Sequence, residues 1–221
     1  MAAFALVFAG CGAIVSDARS HGALGAVGVS LTFGLIIMVM VYATGHLSGA
    51  HINPAVTIAF TLGRHFPAPD ALAYIAAQLL GATAGALVLL AAWPDQPAQL
   101  GATTPSVGVG AALLYEVLLT AVLMFVITAV ATDARAVGAA AAIAIGGTVG
   151  LDALFGGPVT GASMNPARSI GPALVSGTLG DLWIYIVGPV LGAALGALAY
   201  QLVRGPAGPR ASVLPSRKGT A

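Results

Sequence analysis

Charged residues are scarce in this chain of 221 residues. Asp, Glu, Lys and Arg make up 7% of it, and 58% of the residues are hydrophobic. Soluble domains carry about 25% charged residues. A soluble protein of this length cannot cover its surface with so few charges, so the composition predicts a membrane protein. The net charge of +1 gives no support to binding of nucleic acid.

Cysteine is nearly absent as well. Cys11 is the only one, which excludes an intramolecular disulfide and predicts a small buried side chain. His46 and His51 have no third ligand nearby in sequence, so neither a metal site nor a cofactor is expected. An enzyme inside the membrane needs a nucleophile with a basic partner. No Ser or Cys here has such a partner in the sequence, so an enzyme is not expected.

Apolar residues fall into six segments, at 2–15, 23–43, 71–92, 109–131, 137–155 and 182–203. A membrane-spanning helix needs about 20 residues. The first segment, which ends before Ser16 and Asp17, is short by this measure. We expect a single membrane domain over residues 1–203, with one repeat at 1–92 and a second at 109–203. A disordered tail is expected at 204–221.

Basic residues indicate how the chain is oriented in the membrane. Of the seven that lie in loops or in the tail, six are in the second loop, the fourth loop or the tail, which share one side of a six-span chain: Arg64, Arg135, Arg204, Arg210, Arg217 and Lys218. Only Arg19 lies on the other side. The positive-inside rule therefore predicts a multi-pass protein of the cell membrane, plasma or inner, with both termini in the cytoplasm. Trp93, Trp183 and Tyr185 are expected as interface anchors.

One short phrase occurs twice. "GHLSGAHINPAVTIAF" begins at Gly45 and "GPVTGASMNPARSIGPAL" begins at Gly157. Asn is a favoured helix N-cap and Pro is favoured at the first helical position, so each Asn-Pro-Ala predicts a helix start. The six residues are Asn53, Pro54, Ala55, Asn165, Pro166 and Ala167.

Each of these helices is too short to cross the membrane. The stretch from Asn53 to Gly63 gives about 16 Å of helix, half the thickness of a bilayer core. With three spans in each half of the chain, the second copy is inserted upside down. The two half-helices then meet at the midplane with their N-termini together. Two asparagine amides and two positive dipole ends converge there, which favours neutral oxygen-bearing molecules and repels cations and protons.

The predicted fold class is therefore an all-α membrane protein with six transmembrane helices and two re-entrant half-helices in an inverted 3+3 repeat. With "GHLSGAHINPAVT" and "GASMNPARS" in such a frame, the chain resembles the aquaporin and aquaglyceroporin (major intrinsic protein) family. The runs "YIAAQLLGAT", "ITAVATDARAVG" and "LWIYIVGPVLGA" resemble its nodulin-like branch and bacterial relatives. The resemblance implies a right-handed bundle in the lipid bilayer, usually a homotetramer with one pore in each protomer.

The resemblance also implies a selectivity filter of four residues, which by the family's spacing are Phe33, Ala153, Ala162 and Arg168. Water-selective members carry His at the second position, where this chain has Ala153. Two alanines imply a wider and more apolar filter. We therefore expect a passive channel for water and small neutral solutes such as glycerol, urea or metalloid acids. A strictly water-selective channel is the alternative, and a secondary transporter is a remote one.

Four ionisable residues in the apolar frame need an explanation, because charge at depth is costly and indicates function. Arg168 is assigned to the filter. The family uses a Glu at the position of Glu116 to accept hydrogen bonds from the backbone of the half-helix loop. The counterpart of Glu116 in the first half falls upstream of Met1, so we expect the natural chain to start earlier. His51 is expected to line the pore or to fix the first loop. Asp152 departs from the family pattern; it either faces a neighbouring helix or pairs with Arg168.

Overall fold

The computed structural model describes residues 1–133, 135–136 and 140–205, and its regular elements within these ranges are all helical. Six helices are long and apolar enough to cross a membrane: Ala2–Arg19, Gly25–Ser48, Ala68–Ala92, Val109–Thr132, Ala141–Thr160 and Ile184–Val203. The predicted fold class is confirmed. The predicted tail lies outside the described residues, apart from Arg204 and Gly205.

The elements follow in the order α1 (Ala2–Leu6), a π turn (Val7–Cys11), α2 (Gly12–Arg19), α3 (Gly25–Ser48), α4 (Pro54–Leu62), α5 (Ala68–Ala92), a 3-10 turn (Pro97–Gly101), α6 (Val109–Thr132), α7 (Ala141–Thr160), α8 (Pro166–Ser176) and α9 (Ile184–Val203). The π turn joins α1 and α2 into the first span. Helices α4 and α8 are the two half-helices.

The first span is longer than the sequence predicts. It ends at Arg19 rather than at residue 15, and its 18 residues are enough for a membrane crossing. The polar residues at its end are helical, and one of them, Asp17, caps the next helix. Asp17 Oδ1 accepts hydrogen bonds from the backbone N–H groups of Leu24, at 2.9 Å, and Gly25, at 2.8 Å. A polar stretch that was expected to be a loop is therefore a helix end that caps its neighbour.

Two further expectations need correction. The fifth span continues to Thr160, five residues beyond the predicted end, although the helix carries Pro158, a residue that usually ends or kinks a helix, in its interior. Its predicted start at residues 137–139 lies outside the described residues. Tyr185 is not an interface anchor. Its side chain is fully buried, and its hydroxyl donates a hydrogen bond to the carbonyl oxygen of Thr160 at 2.7 Å.

Each half-helix starts as its sequence predicts. Asn53 and Asn165 are the N-caps, and their Oδ1 atoms accept from the backbone N–H groups two residues ahead, Ala55 at 2.9 Å and Ala167 at 3.0 Å. Helix α4 has nine residues and α8 has eleven, so end to end they cover about 30 Å, the thickness of one bilayer core. The loops before them share a backbone conformation, with positive φ at three matched pairs: Gly49 and Gly161, Ala50 and Ala162, Ile52 and Met164.

Glycines allow the spans to approach closely. In α9, a Cβ atom at Gly188 would lie 2.7 Å from the Cβ of Glu116 in α6, and one at Gly192 would lie 2.8 Å from the Cβ of Thr120. In α3, a Cβ at Gly34 would lie 2.6 Å from the carbonyl oxygen of Gly146 in α7. Helix pairs in membranes use small residues for such contacts. The pairs α6–α9 and α3–α7 therefore form the tight frame that carries the two loops.

Just beyond the last residue of α6, a polar contact joins the end of α6 to the end of α9. Asp133 accepts hydrogen bonds from the side chain of Arg135 at 2.6 Å and from the hydroxyl of Tyr200 at 2.8 Å. Arg135 also donates to the carbonyl oxygen of Arg204 at 3.0 Å. The guanidinium of Arg135 holds the pKa of the Asp133 carboxyl well below its usual range. The contact therefore stays charged at physiological pH.

The α6–α9 contact gives a first test. We expect Gly192→Val to lower the stability of the protein by about 1–3 kcal/mol, because the added carbons collide with Val117 and Thr120. The loss of folded protein on heating in detergent, followed by size-exclusion chromatography, measures this. Gly147→Val is the matched control, since a Cβ there meets no atom within 4 Å. Equal melting temperatures for the two variants would contradict the proposed packing.

Candidate functional site

The two half-helices meet through reciprocal hydrogen bonds. The amide Nδ2 of Asn53 donates to the carbonyl oxygen of Met164 at 2.7 Å, and the Nδ2 of Asn165 donates to the carbonyl oxygen of Ile52 at 2.9 Å. Each asparagine therefore caps its own helix with its oxygen and binds the other loop with its nitrogen. This exchange fixes the two loops against each other in the centre of the bundle.

The same asparagines keep hydrogen-bonding capacity for a permeant. A side-chain amide has two N–H donors, and each bond to the opposite loop uses one. Asn53 and Asn165 both line a narrow cavity of about 120 Å³, which we call the long cavity. It reaches Ala131 and Ala141 at the end where α6 and α7 are joined. The second N–H of each amide is thus the donor available at the meeting point.

A second cavity, the mouth cavity, lies toward the opposite end. It has a volume of about 450 Å³, and Asp17, Gln99 and Thr104 are among its lining residues. Of the residues that the structure describes, four line both cavities: Phe33, Ala153, Ala162 and Arg168. These are the four positions that the family resemblance assigns to the filter. They stand at the boundary between the two cavities.

Arg168 and Phe33 are the two large side chains at this boundary. The Arg168 side chain is 2% exposed, and its Nη1 donates to the carbonyl oxygen of Gly101 at 2.7 Å. Its Cζ lies 5.0 Å from the centroid of the Phe33 ring, a cation–π distance. The guanidinium is thus held from two sides. Of its five N–H groups, one is used by Gly101 and the one on Nε is buried without a partner among the described residues, so those that remain on Nη1 and Nη2 are the polar element of the boundary.

Glu116 holds the loop that precedes α8, residues 161–165, which is called the second loop from here on; the loop that precedes α4 is the first loop. Its Oε1 accepts from the hydroxyl of Thr160 at 2.8 Å and from the backbone N–H of Ser163 at 2.9 Å, while its Oε2 accepts from the backbone N–H of Met164 at 2.8 Å. Positive φ at Met164 costs free energy that these bonds offset. With both oxygens engaged by donors, Glu116 is placed as a structural acceptor rather than as a free carboxylate.

His51 lies at the first loop and lines the long cavity. Its Nδ1 is 3.1 Å from the Thr57 hydroxyl, and its ring packs against the rings of Phe60, Phe66 and Tyr74, with centroids about 5 Å apart. The hydroxyl of Tyr74 accepts from the backbone N–H of His51 at 3.3 Å. The two expected positions for His51, at the pore and at the loop, therefore coincide.

Asp152 is buried, with 2% of its surface exposed, and it lines neither cavity. The ion pairs found among residues 1–133, 135–136 and 140–205 are Arg19–Asp95 and Arg135–Asp133. Asp152 therefore does not pair with Arg168. The sequence leaves two alternatives for Asp152. Its burial agrees with the alternative in which the side chain faces a neighbouring helix.

Three residues of the site escaped the sequence analysis. Gly101, which accepts from Arg168, lies in a segment that reads as a polar loop, although it is buried. Thr160 bonds Glu116 and receives the hydroxyl of Tyr185. These contacts join positions 25 to 67 residues apart, and no local pattern marks them. Tyr185 differs in that a buried hydroxyl needs a partner, which was a usable signal.

Comparison with known proteins supports the geometry of the bundle. The family model described as "Major intrinsic protein" matches residues 1–200. The chain belongs to the major intrinsic protein family. It is similar to aquaporin NIP1-1 of Zea mays, with 50% identity over 199 residues that cover 90% of this chain and 71% of the relative. Nodulin-26 of Glycine max is 47% identical over 199 residues, which cover 90% and 73% of the two chains.

A solved structure of the same family shares the fold. The X-ray structure of the aquaglyceroporin from Plasmodium falciparum matches with a TM-score of 0.80 and 26% identity, over 93% of this chain and 94% of the other. As a member of the major intrinsic protein family, the protein is a membrane channel for water and small neutral solutes. The family is one of channels and not of enzymes.

The loop contacts give a second test. In Glu116→Gln, the side-chain amide turns a donor toward the backbone N–H of Ser163 or Met164, so one buried donor loses its acceptor. We expect a loss of about 1–3 kcal/mol in stability together with lower water permeability of reconstituted vesicles. Asp70→Asn, the same chemical change at an exposed position, is the control. If Glu116→Gln matches its parent in both stability and water permeability, the structural role of Glu116 is contradicted.

Proposed function

We propose that this channel conducts small neutral solutes such as glycerol, urea or metalloid acids together with water, along a path formed by the long cavity, the four boundary residues and the mouth cavity. One observation carries the proposal. The residues shared by the two cavities are the four filter positions, Phe33, Ala153, Ala162 and Arg168. A molecule that passes from one cavity to the other passes these side chains.

The chemistry of the four side chains favours small neutral solutes that can pack against an apolar wall and accept hydrogen bonds. Phe33 offers an apolar wall, and Arg168 offers N–H donors beside it. Ala153 and Ala162 take little room and add no polar group. A larger side chain at Ala153 would narrow the boundary. Glycerol, urea and metalloid acids are the solutes that fit this surface, and the similarity to an aquaglyceroporin supports a filter wider than water alone needs.

The arrangement of charge supports passive conduction. The N-termini of α4 and α8 direct their positive dipole ends to the meeting point, and Arg168 adds a full positive charge nearby. The ionisable residues that line the two cavities, in the part of the chain that the structure describes, are Asp17, His51 and Arg168. Asp17 lies at the mouth, and Glu116 is engaged by the second loop. Among those described residues, Asp17 is the one carboxylate that lines the path, and its Oδ1 is engaged by the backbone N–H groups of Leu24 and Gly25, which argues against the transporter alternative.

The setting in the membrane belongs to the same proposal. The channel domain extends over residues 1–203 as two repeats, 1–92 and 109–203. The protein functions as a homotetramer with a pore in each protomer, in the cell membrane. Both termini face the cytoplasm. The excess of basic residues on the side of Arg64 and Arg135 supports this orientation.

A substitution at the filter tests the solute class. We expect Ala153→His to lower the glycerol permeability of reconstituted vesicles about tenfold, because the imidazole narrows the boundary, while water permeability stays within about threefold of the parent. Osmotic light scattering with glycerol, and with sucrose as the impermeant reference, measures both rates.

Ala131→His serves as the control, because it introduces the same side chain into the lining of the long cavity away from the boundary. It should leave the ratio of glycerol to water permeability closer to the parent value. If the parent itself conducts water but no glycerol, the channel is water-selective and the proposed solute class is wrong.

Orientation is tested with a matched pair of exposed histidines. His21 and His65 lie at opposite ends of the bundle, and the native Cys11 is fully buried. A membrane-impermeant maleimide should label His21→Cys in intact cells and His65→Cys only after lysis. The reverse pattern would place both termini outside the cell.

A further inference from the structure

The first span changes its helical form where it passes behind the filter. Residues Val7–Cys11 form a π turn between two α-helical segments. π turns inside α-helices are rare and occur often at functional sites. Gly10, in this turn, lies against the ring of Phe33. A Cβ atom at Gly10 would overlap the Cε1 of Phe33 and would lie 2.6 Å from Cδ1 and 2.8 Å from Cζ.

The same turn also reaches the support of Arg168. Cys11, the next residue, is fully buried, and a Cβ atom at Gly101 would lie 2.7 Å from the Cβ of Cys11. Gly101 is the residue whose carbonyl oxygen accepts from Arg168. The π turn therefore stands behind both large side chains of the boundary: behind Phe33 through Gly10, and behind Arg168 through Gly101.

We propose that the π turn Val7–Cys11 is the back wall of the filter and that Gly10 determines its aperture. The inference rests on the proposed function, because it takes Phe33 as a filter residue. The contact with Gly10 lies along one edge of the ring, through Cδ1, Cε1 and Cζ. Phe33 also lines both cavities. A side chain at position 10 therefore displaces the ring toward open space, which is the path of the permeant.

The size of the displacement follows from ordinary contact distances. A Cβ atom normally keeps at least 3.4 Å from its neighbours. The ring therefore has to move by about 1 Å to accommodate an alanine. Interiors are packed densely enough that such a shift is transmitted rather than absorbed. Glycerol is wider than water, so the narrowed boundary slows glycerol first.

The test is a double-mutant cycle with Gly10→Ala, Phe33→Leu and the double variant. The leucine side chain introduced by Phe33→Leu lacks the ring edge that collides with an added Cβ. The permeability of vesicles to glycerol and to water is measured per incorporated protein. Gly147→Ala, where a Cβ meets no atom within 4 Å, controls for the loss of a helical glycine.

The expected result for Gly10→Ala is a glycerol permeability about tenfold lower, with water permeability within about threefold of the parent. Phe33→Leu raises glycerol permeability above the parent. The double variant conducts glycerol as Phe33→Leu does, because the colliding ring is gone. Thermal unfolding of all four proteins in detergent accompanies these measurements.

The other outcomes separate the two claims. If Phe33→Leu leaves both permeabilities unchanged, Phe33 is not a filter residue and the proposed function fails with the inference. If Phe33→Leu changes glycerol permeability but Gly10→Ala does not, the filter stands and the inference is wrong. If Gly10→Ala loses stability and the double variant regains neither stability nor glycerol permeability, Gly10 is a packing residue only.

If too little Gly10→Ala protein incorporates into vesicles for the assay, the double variant decides. A double variant that conducts glycerol more slowly than Phe33→Leu then overturns the inference.

Discussion

Two helices that begin in the middle of a membrane protein leave backbone N–H groups without partners, and this constraint organises the rest of the structure. Each helix leaves its first N–H groups unsatisfied, and lipid offers no acceptor for them. Asn53 and Asn165 meet the constraint from their own helices through Oδ1. Their Nδ2 atoms then bind the opposite loops. Asparagine thus caps each helix, joins the two loops and keeps one side-chain N–H at the long cavity.

The loops that bring these asparagines together are strained and need support. Non-glycine residues with positive φ occur at Ala50, Ile52, Ala162 and Met164. A buried carboxylate holds the second loop through three hydrogen bonds, and Thr160 connects that carboxylate to Tyr185 in the last span. The glycines of α9 allow that span to lie directly against α6, where Glu116 resides. Close packing of the spans is therefore a condition for the geometry of the loop.

Features that depend on residues close together in sequence could be predicted from the sequence, and those that depend on contacts between distant residues could not. The spans follow from composition, and the half-helix starts follow from Asn and Pro at adjacent positions, which act locally. The end of the first span was missed because Asp17 caps a different helix. Phe33, Ala153 and Ala162 were proposed from the family resemblance, since an alanine taken alone carries no signal. Gly101 and Gly10 were missed because their roles depend on contacts that only the folded chain creates.

The two repeats share a backbone but not the same side chains, and the difference makes the two ends of the path chemically unlike. Arg168 follows the second Asn-Pro-Ala where Val56 follows the first, and both line the long cavity. A second arginine at position 56 would bury two cations in a cavity of about 120 Å³, beside two positive helix ends. Each would need an acceptor such as the one Gly101 provides for Arg168. With Val56, the proposed path has fixed donors at one boundary, where a permeant would exchange its hydration, and a mostly apolar wall beyond it.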